Sequence, residues 1–260
     1  MDEFRSGSRG SQRRPFRFLL NLEDTERLAG LTQLPAGPEP NMVQDKPVLY
    51  AQSEGTMRRN SFIYSGTKAF AKVVFSIVYQ IDTERKTKLP DQGPVIILPK
   101  HQYWTDIPII SLAFEPLLYF VAKQELFKYP LVRNYLFFLG GIPVNRKQSI
   151  RSLDSFKALV SLLRAGEKIV IFPEGTYFRN EVGSGKSRLL QMILRLQSEL
   201  GYPIPFVPVG IRYGERSGWR RRVEVCIGSP LFAEGESDAI PLTHQAMEEI
   251  SRLCRLPLCR

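Results

Sequence analysis

Two histidines and three cysteines are all the thiol and imidazole this chain of 260 residues contains. Cys226, Cys254 and Cys259 are too few and too scattered for a disulfide framework, and two histidines complete no zinc-ligand spacing. A reducing compartment and no structural metal are expected. Uninterrupted apolar runs of about 18 residues are also missing, which argues against a membrane-spanning helix. Arginines at 5, 9, 13 and 14 precede an apolar cluster at 16–22, but Arg17 and Asn21 break that cluster, so no signal peptide is evident.

Acidic residues are in deficit, 26 against 36 lysines and arginines, for a net charge of +10. The excess implies an anionic partner: nucleic acid, lipid headgroups or a phosphorylated metabolite. A chain this long can bury roughly 70–75% of its unfolded surface, enough for one sizeable core. Residues 1–60 are rich in Arg, Ser, Gly and Pro, with prolines at 35, 38, 40 and 47, and are expected to form a disordered extension. Met57, just ahead of the first periodic segment, would make an alternative start.

That segment, residues 61–81, has a helical period. Phe62, Ile63, Phe70, Val73, Val74, Ile77 and Ile81 share a face, with Lys68, Lys72, Ser65 and Ser76 opposite. Such a helix suits a membrane interface, and the same stripe could equally cover the core. Beyond residue 90 strands and helices alternate. Strands are expected at 95–98, 117–122, 142–144, 169–172, 206–211 and 223–227, and helices at about 105–114, 124–138, 151–165, 187–200 and 242–255. This predicts an α/β fold, a mostly parallel sheet with helices on both faces, preceded by the amphipathic helix. Ligands in such folds gather at the carboxyl ends of the strands.

His101 stands at such a strand end, five residues before Asp106. A carboxylate bonded to one ring nitrogen fixes the tautomer and raises the basicity of the other nitrogen, which makes a general base. Positions five apart lie roughly 140° apart around a helix, so the two can meet only across a loop or a helix start. After the strand at 169–172, Pro173-Glu174-Gly175-Thr176 forms a sharp turn presenting a carboxylate and a hydroxyl. Arg146 ends another strand, and its planar fork suits a phosphate. Pro208 lies within a strand and should occupy a sheet edge or a bulge. Gly183-Ser184-Gly185-Lys186-Ser187 invites comparison with a phosphate-binding loop, but the first glycine of that motif would fall on Asn180. A helix start offering backbone N–H groups to an anion fits these residues better.

Taken in order, the segments 100–106, 140–146, 172–176 and 207–210 resemble the four sequence blocks of the glycerolipid acyltransferases, the 1-acylglycerol-3-phosphate acyltransferase superfamily. The resemblance covers about residues 90–212. It implies that His101 and Asp106 activate a glycerol hydroxyl for attack on an acyl thioester. It further implies that Arg146 binds the substrate phosphate, that Glu174, Gly175 and Thr176 position substrate, and that Val207, Pro208 and Val209 wall the acyl chain. Two positions depart from the family pattern: Tyr177 stands where arginine is common, and Lys100 where asparagine is. Lys186 or Arg188 could supply the missing cation. The expected function is transfer of a fatty acyl group from acyl-CoA or acyl carrier protein to a lysophospholipid, foremost 1-acylglycerol-3-phosphate, by a peripheral enzyme at the cytoplasmic face of a membrane, with no bound cofactor and no nucleic acid. Alternatives are another acceptor, such as glycerol-3-phosphate or a lyso-aminolipid, and a non-enzymatic basic lipid-binding module.

Overall fold

A run of apolar residues with both faces covered forms the middle of the sheet. In the computed structural model, which describes residues 60–90, 92–115, 117–144 and 153–259, Val95, Ile96, Ile97 and Leu98 have no exposed surface. In chain order the elements are α1 (Ser61–Val78), β1 (Tyr79–Arg85), β2 (Val95–Pro99), α2 (Asp106–Ala113), β3 (Leu118–Lys123), α3 (Pro130–Phe138), β4 (Gly141–Val144), α4 (Leu153–Arg164), β5 (Lys168–Val170), α5 (Ser187–Leu200), β6 (Phe206–Ser217), β7 (Arg220–Ile227) and α6 (Ala239–Cys254). The seven strands lie in the order β1-β7-β6-β2-β5-β3-β4. All neighbours are parallel except β6 and β7, so the sheet is mixed but mostly parallel, as expected.

Alternation along the central strands divides the core in two. Ile96, Leu98, Ile169, Ile171 and Phe206 pack with residues of α4, α5 and α6. Val95, Ile97, Val170, Val207 and Val209 pack on the other face with Ile109, Ile110 and Ala113 of α2 and Phe75 of α1. At about 25 cal/mol per Å², burying each of the Val, Leu, Ile and Phe side chains among these contributes about 1.5–3 kcal/mol. Gly210 serves this packing directly. A Cβ there would lie 2.6 Å from the Leu253 and Cys254 backbone, so the end of α6 rests against the centre of the sheet only because residue 210 has no side chain.

Several boundaries differ from the pattern in the sequence. The first helix ends at Val78, and Ile81, assigned above to its stripe, belongs to β1, an edge strand parallel to β7. Asn60 caps that helix, its side chain accepting from the N–H groups of Phe62 and Ile63 at 3.1 Å. The helix expected at 124–138 is split by Pro130 into a 3₁₀ helix, Gln124–Lys128, and α3, since proline favours the first position of a new helix. α6 starts three residues early because Pro241 falls in its first turn, where no intrahelical N–H bond is lost.

Pro208 lies at a bulge and not an edge, the second of the two places expected for it. It lies in an interior strand, β6, between β7 and β2. Its carbonyl, accepting from Gly228 N–H at 2.9 Å, faces β7 just beyond that strand's last residue, Ile227. The missing proline N–H points the same way, where the pairing slips by one residue between Phe206–Leu231 and Val209–Ile227, so the proline sits opposite a bulge.

α1 shows which side of its stripe is covered. Tyr64 and Phe75 are buried, and the Tyr64 hydroxyl pairs with Ser111 Oγ at 2.8 Å. Phe62, Phe70, Val73 and Ile77, near the opposite side of the helix, are 60–88% exposed. Lys68, expected opposite the apolar stripe in solvent, instead donates to the Phe114 carbonyl at 2.5 Å, and burial lowers its pKa.

Candidate active site

The carboxyl ends of β2, β5 and β6 meet around His101. The Lys100 N–H still bonds the Val209 carbonyl at 2.9 Å, and the chain then leaves the sheet. His101 Nδ1 lies 3.1 Å from Asp106 Oδ2, the carboxylate of the first residue of α2. The meeting across a helix start is the one the five-residue spacing required. Asp106 is fully buried, and every donor around it holds it still. Its Oδ2 also accepts from the N–H groups of Gln102 at 2.5 Å and Tyr103 at 2.7 Å, and Oδ1 accepts from the Tyr213 hydroxyl at 2.6 Å. The same hydroxyl lies 2.8 Å from Thr105 Oγ1. Burial, and then the Asp106 carboxylate beside it, push the Tyr213 phenol well above its usual range, which keeps it a donor.

The imidazole is flanked by two rings. Phe172 stacks on it with centroids 3.9 Å apart, and Tyr177 lies tilted at 4.3 Å. With Nδ1 given to Asp106, the lone pair is on Nε2, which has no bonding partner among the described residues.

A buried ion pair braces this loop. Lys100 has no exposed surface and donates to Glu174 Oε1 at 2.8 Å, Oε2 at 3.0 Å, the Phe178 carbonyl at 2.7 Å and the His101 carbonyl at 3.1 Å. Glu174 in turn accepts from the N–H groups of His101 at 2.7 Å and Gly183 at 2.8 Å. Burial pushes the Glu174 carboxyl upward, while Lys100 and the two N–H groups pull against it. The His101 loop, the turn after β5 and the segment leading to α5 thereby become one rigid unit.

The residues singled out in the sequence are therefore placed as follows. His101, Asp106 and Glu174 converge, but the Glu174 carboxylate is occupied by protein groups and acts on the site through the His101 backbone. Gly175 has φ +71°, the left-handed conformation that lets the turn close under Glu174. Thr176, Lys186 and Arg188 are exposed on the rim. Val207 and Val209 are fully buried beneath α2, and Pro208 is buried beside Gly228. Arg146, like residues 1–59, lies outside the described residues. The Gly183–Lys186 stretch does precede a helix, but two of its N–H groups are committed, Gly183 to Glu174 and Lys186 to the Pro173 carbonyl at 2.8 Å. Its glycines make room for neighbours: a Cβ on Gly183 would meet the Phe178 ring at 2.4 Å, and one on Gly185 would meet Thr243 at 2.5 Å. Packing therefore accounts for both glycines.

The family model described as Acyltransferase matches residues 80–212, which contain His101, Asp106 and Glu174. The chain belongs to the acyltransferase family. Tyr213 stands one residue beyond the matched segment. Two similar acyltransferases are the 1-acyl-sn-glycerol-3-phosphate acyltransferases of Bacillus subtilis and Pseudomonas aeruginosa. The first is 30% identical over 164 residues, 62% of this chain and 78% of the relative; the second is 31% identical over 170 residues, 64% and 63% respectively. The crystal structure of the 1-acyl-sn-glycerophosphate (LPA) acyltransferase from Thermotoga maritima superposes with a TM-score of 0.52 at 23% identity, over 74% of this chain and 81% of that one, a likeness of fold.

Proposed function

We propose that this acyltransferase moves a fatty acyl group from a thioester donor, acyl-CoA or acyl carrier protein, to the free hydroxyl of 1-acylglycerol-3-phosphate, giving phosphatidic acid. One observation carries the reading: a histidine whose Nδ1 is held by a buried, four-times-bonded aspartate and whose Nε2 has no partner among the described residues. Nε2 takes the hydroxyl proton as the oxygen attacks the thioester carbonyl. The tetrahedral intermediate collapses with cleavage of the C–S bond, and the imidazolium returns the proton to the departing sulfur. Asp106, bonded to Nδ1, stabilises the imidazolium. The names of the relatives support the acceptor, whose phosphate we assign to Arg146.

The acceptor and product are lipids, so the active-site rim must reach a bilayer. Among the described residues no helix is long and apolar enough to cross one. The exposed stripe of α1, with Trp104 67% exposed beside the His101 loop, supports a peripheral membrane contact, which we assign to the cytoplasmic face.

Thiol release from acyl-CoA and acyl carrier protein, measured against 1-acylglycerol-3-phosphate, glycerol-3-phosphate and other lysolipids, tests the proposal. His101→Ala should lower turnover by about 10²–10⁴. Arg146→Ala should lower kcat/KM for the phosphorylated acceptor by roughly 10- to 150-fold and leave acceptor-independent donor hydrolysis unchanged. Undiminished thiol release by folded His101→Ala would remove the mechanism.

A further inference from the structure

β6 and β7 run past β2 and the strands beyond it, accompanied only by β1, which pairs with β7 from Tyr79 onward. β6 pairs with β2 only from Phe206 to Val209, yet it continues to Ser217 before β7 returns from Arg220. At about 3.3 Å per residue, the excess carries the hairpin turn roughly 20–25 Å beyond the end of β2, on the side where His101 emerges. Gly218, with φ +63°, is the first residue of a two-residue turn, and Trp219 is the second. A bulge between Tyr213 and Arg216 bends the ribbon just above the Tyr213 bond to Asp106.

The charges divide at that bulge. At and below it, arginines meet acids: Arg212 pairs with Glu224, and Arg222 with Asp82 and Glu224. Above it stand Arg216, Arg220 and Arg221, none paired with a carboxylate among the described residues, with Glu215 the single acid nearby. Arg220 donates to the Tyr79 carbonyl at 3.4 Å, and Arg221 donates to the Gly214 carbonyl at 2.9 Å with its guanidinium over the Tyr213 ring. Trp219, in the turn between Arg216 and Arg220, is 81% exposed. An indole tip flanked by guanidinium groups matches the headgroup region of a membrane, where indole rings settle and guanidinium groups bind phosphates. The tip also continues the apolar surface of α1. That helix ends at Val78, and the next residue, Tyr79, pairs with Arg221, so the exposed Ile77 and Val78 adjoin the hairpin.

We propose that the β6–β7 hairpin tip is a second membrane contact that docks on anionic phospholipid headgroups, so that α1 and the hairpin flank the mouth of the active site. This rests on the reading of the chain as an enzyme of bilayer lipids. A Trp104→Phe protein leaves Trp219 as the sole tryptophan. Its emission should shift to the blue on titration with vesicles of phosphatidylglycerol and phosphatidylcholine, and much less with phosphatidylcholine alone. In that background Arg216→Ala with Arg220→Ala should weaken partitioning into the anionic vesicles about 30-fold, or about 2 kcal/mol at tenfold per 1.36 kcal/mol. Turnover of a short-chain, water-soluble acceptor should not change. An emission unmoved by anionic vesicles, or partitioning of the double variant within threefold of its parent, overturns the proposal. A raised KM for acyl carrier protein with unchanged vesicle binding would also overturn it, in favour of docking the acidic carrier. If the parent does not turn over the soluble acceptor, the catalytic reading fails, while the vesicle titration still decides the hairpin.

Discussion

Removing either half of the Lys100–Glu174 pair should destabilise the protein far more than removing both. Each side chain is shut off from solvent, and together they fill six hydrogen bonds, two of them between the partners. Lys100→Met leaves a buried carboxylate facing two backbone N–H groups, and Glu174→Gln leaves a buried ammonium facing neutral oxygens. Stranding one buried charge costs about 3–5 kcal/mol. For a domain of this size that corresponds to a fall in Tm of about 6–20 °C, at about 2–4 °C per kcal/mol. In the double variant no charge is buried, and the glutamine carbonyl can still accept from His101 or Gly183. Its cost should be about 1–3 kcal/mol, so the two substitutions should fail to add by at least about 3 kcal/mol. Urea unfolding of the four proteins at pH 7 measures the cycle. Single variants each costing under about 1 kcal/mol, or a double variant whose cost equals the sum, would refute the argument that charge compensation holds this loop.

Two further outcomes follow from neighbouring contacts. Tyr213→Phe removes the donor to Asp106 Oδ1 while keeping the ring that packs against Tyr103, so turnover should fall about tenfold at unchanged KM and stability should change by no more than about 1–2 kcal/mol. Steady-state kinetics with a melting curve on the same sample separate this from a packing defect, which would lower Tm without a kcat effect in the folded fraction. Gly210→Ala forces a Cβ into the α6 backbone and should cost at least about 1–3 kcal/mol, read by urea unfolding; a neutral result would mean that α6 can slide.

Much of this architecture is legible because it is local. The apolar run at 95–98 marks the central strand, and the His101-to-Asp106 spacing already requires a loop meeting a helix start. What the sequence does not show is carried by contacts between distant segments. Tyr213 reaches Asp106 across the sheet, and no local pattern marks one tyrosine in an arginine-rich stretch as an aspartate's partner. β1 is held by β7, which lies far along the chain, so its residues read as the end of a helix. Pro208 reads as an edge or bulge residue, and a one-dimensional pattern cannot choose between them because it does not reveal where the neighbouring strand stops. Lys100 did carry a signal: strand alternation places it on the face of Ile96 and Leu98, where a lysine requires a buried acid. The carboxylate for it was also in view, at the end of the next central strand.

The aromatic flanks of His101 restrict the direction from which a nucleophile can reach it. With Phe172 at 3.9 Å and Tyr177 at 4.3 Å, the imidazole cannot turn over to exchange its nitrogens without displacing both rings and breaking the bond to Asp106. The base is therefore aimed before any ligand binds, and its reactive edge faces one direction only. A hydroxyl can reach it along the plane of the ring, as the end of a slender arm, but not from above or below. Such a site selects its nucleophile by the angle of approach, and water, which has no headgroup to hold it at that angle, is the competitor this geometry disfavours.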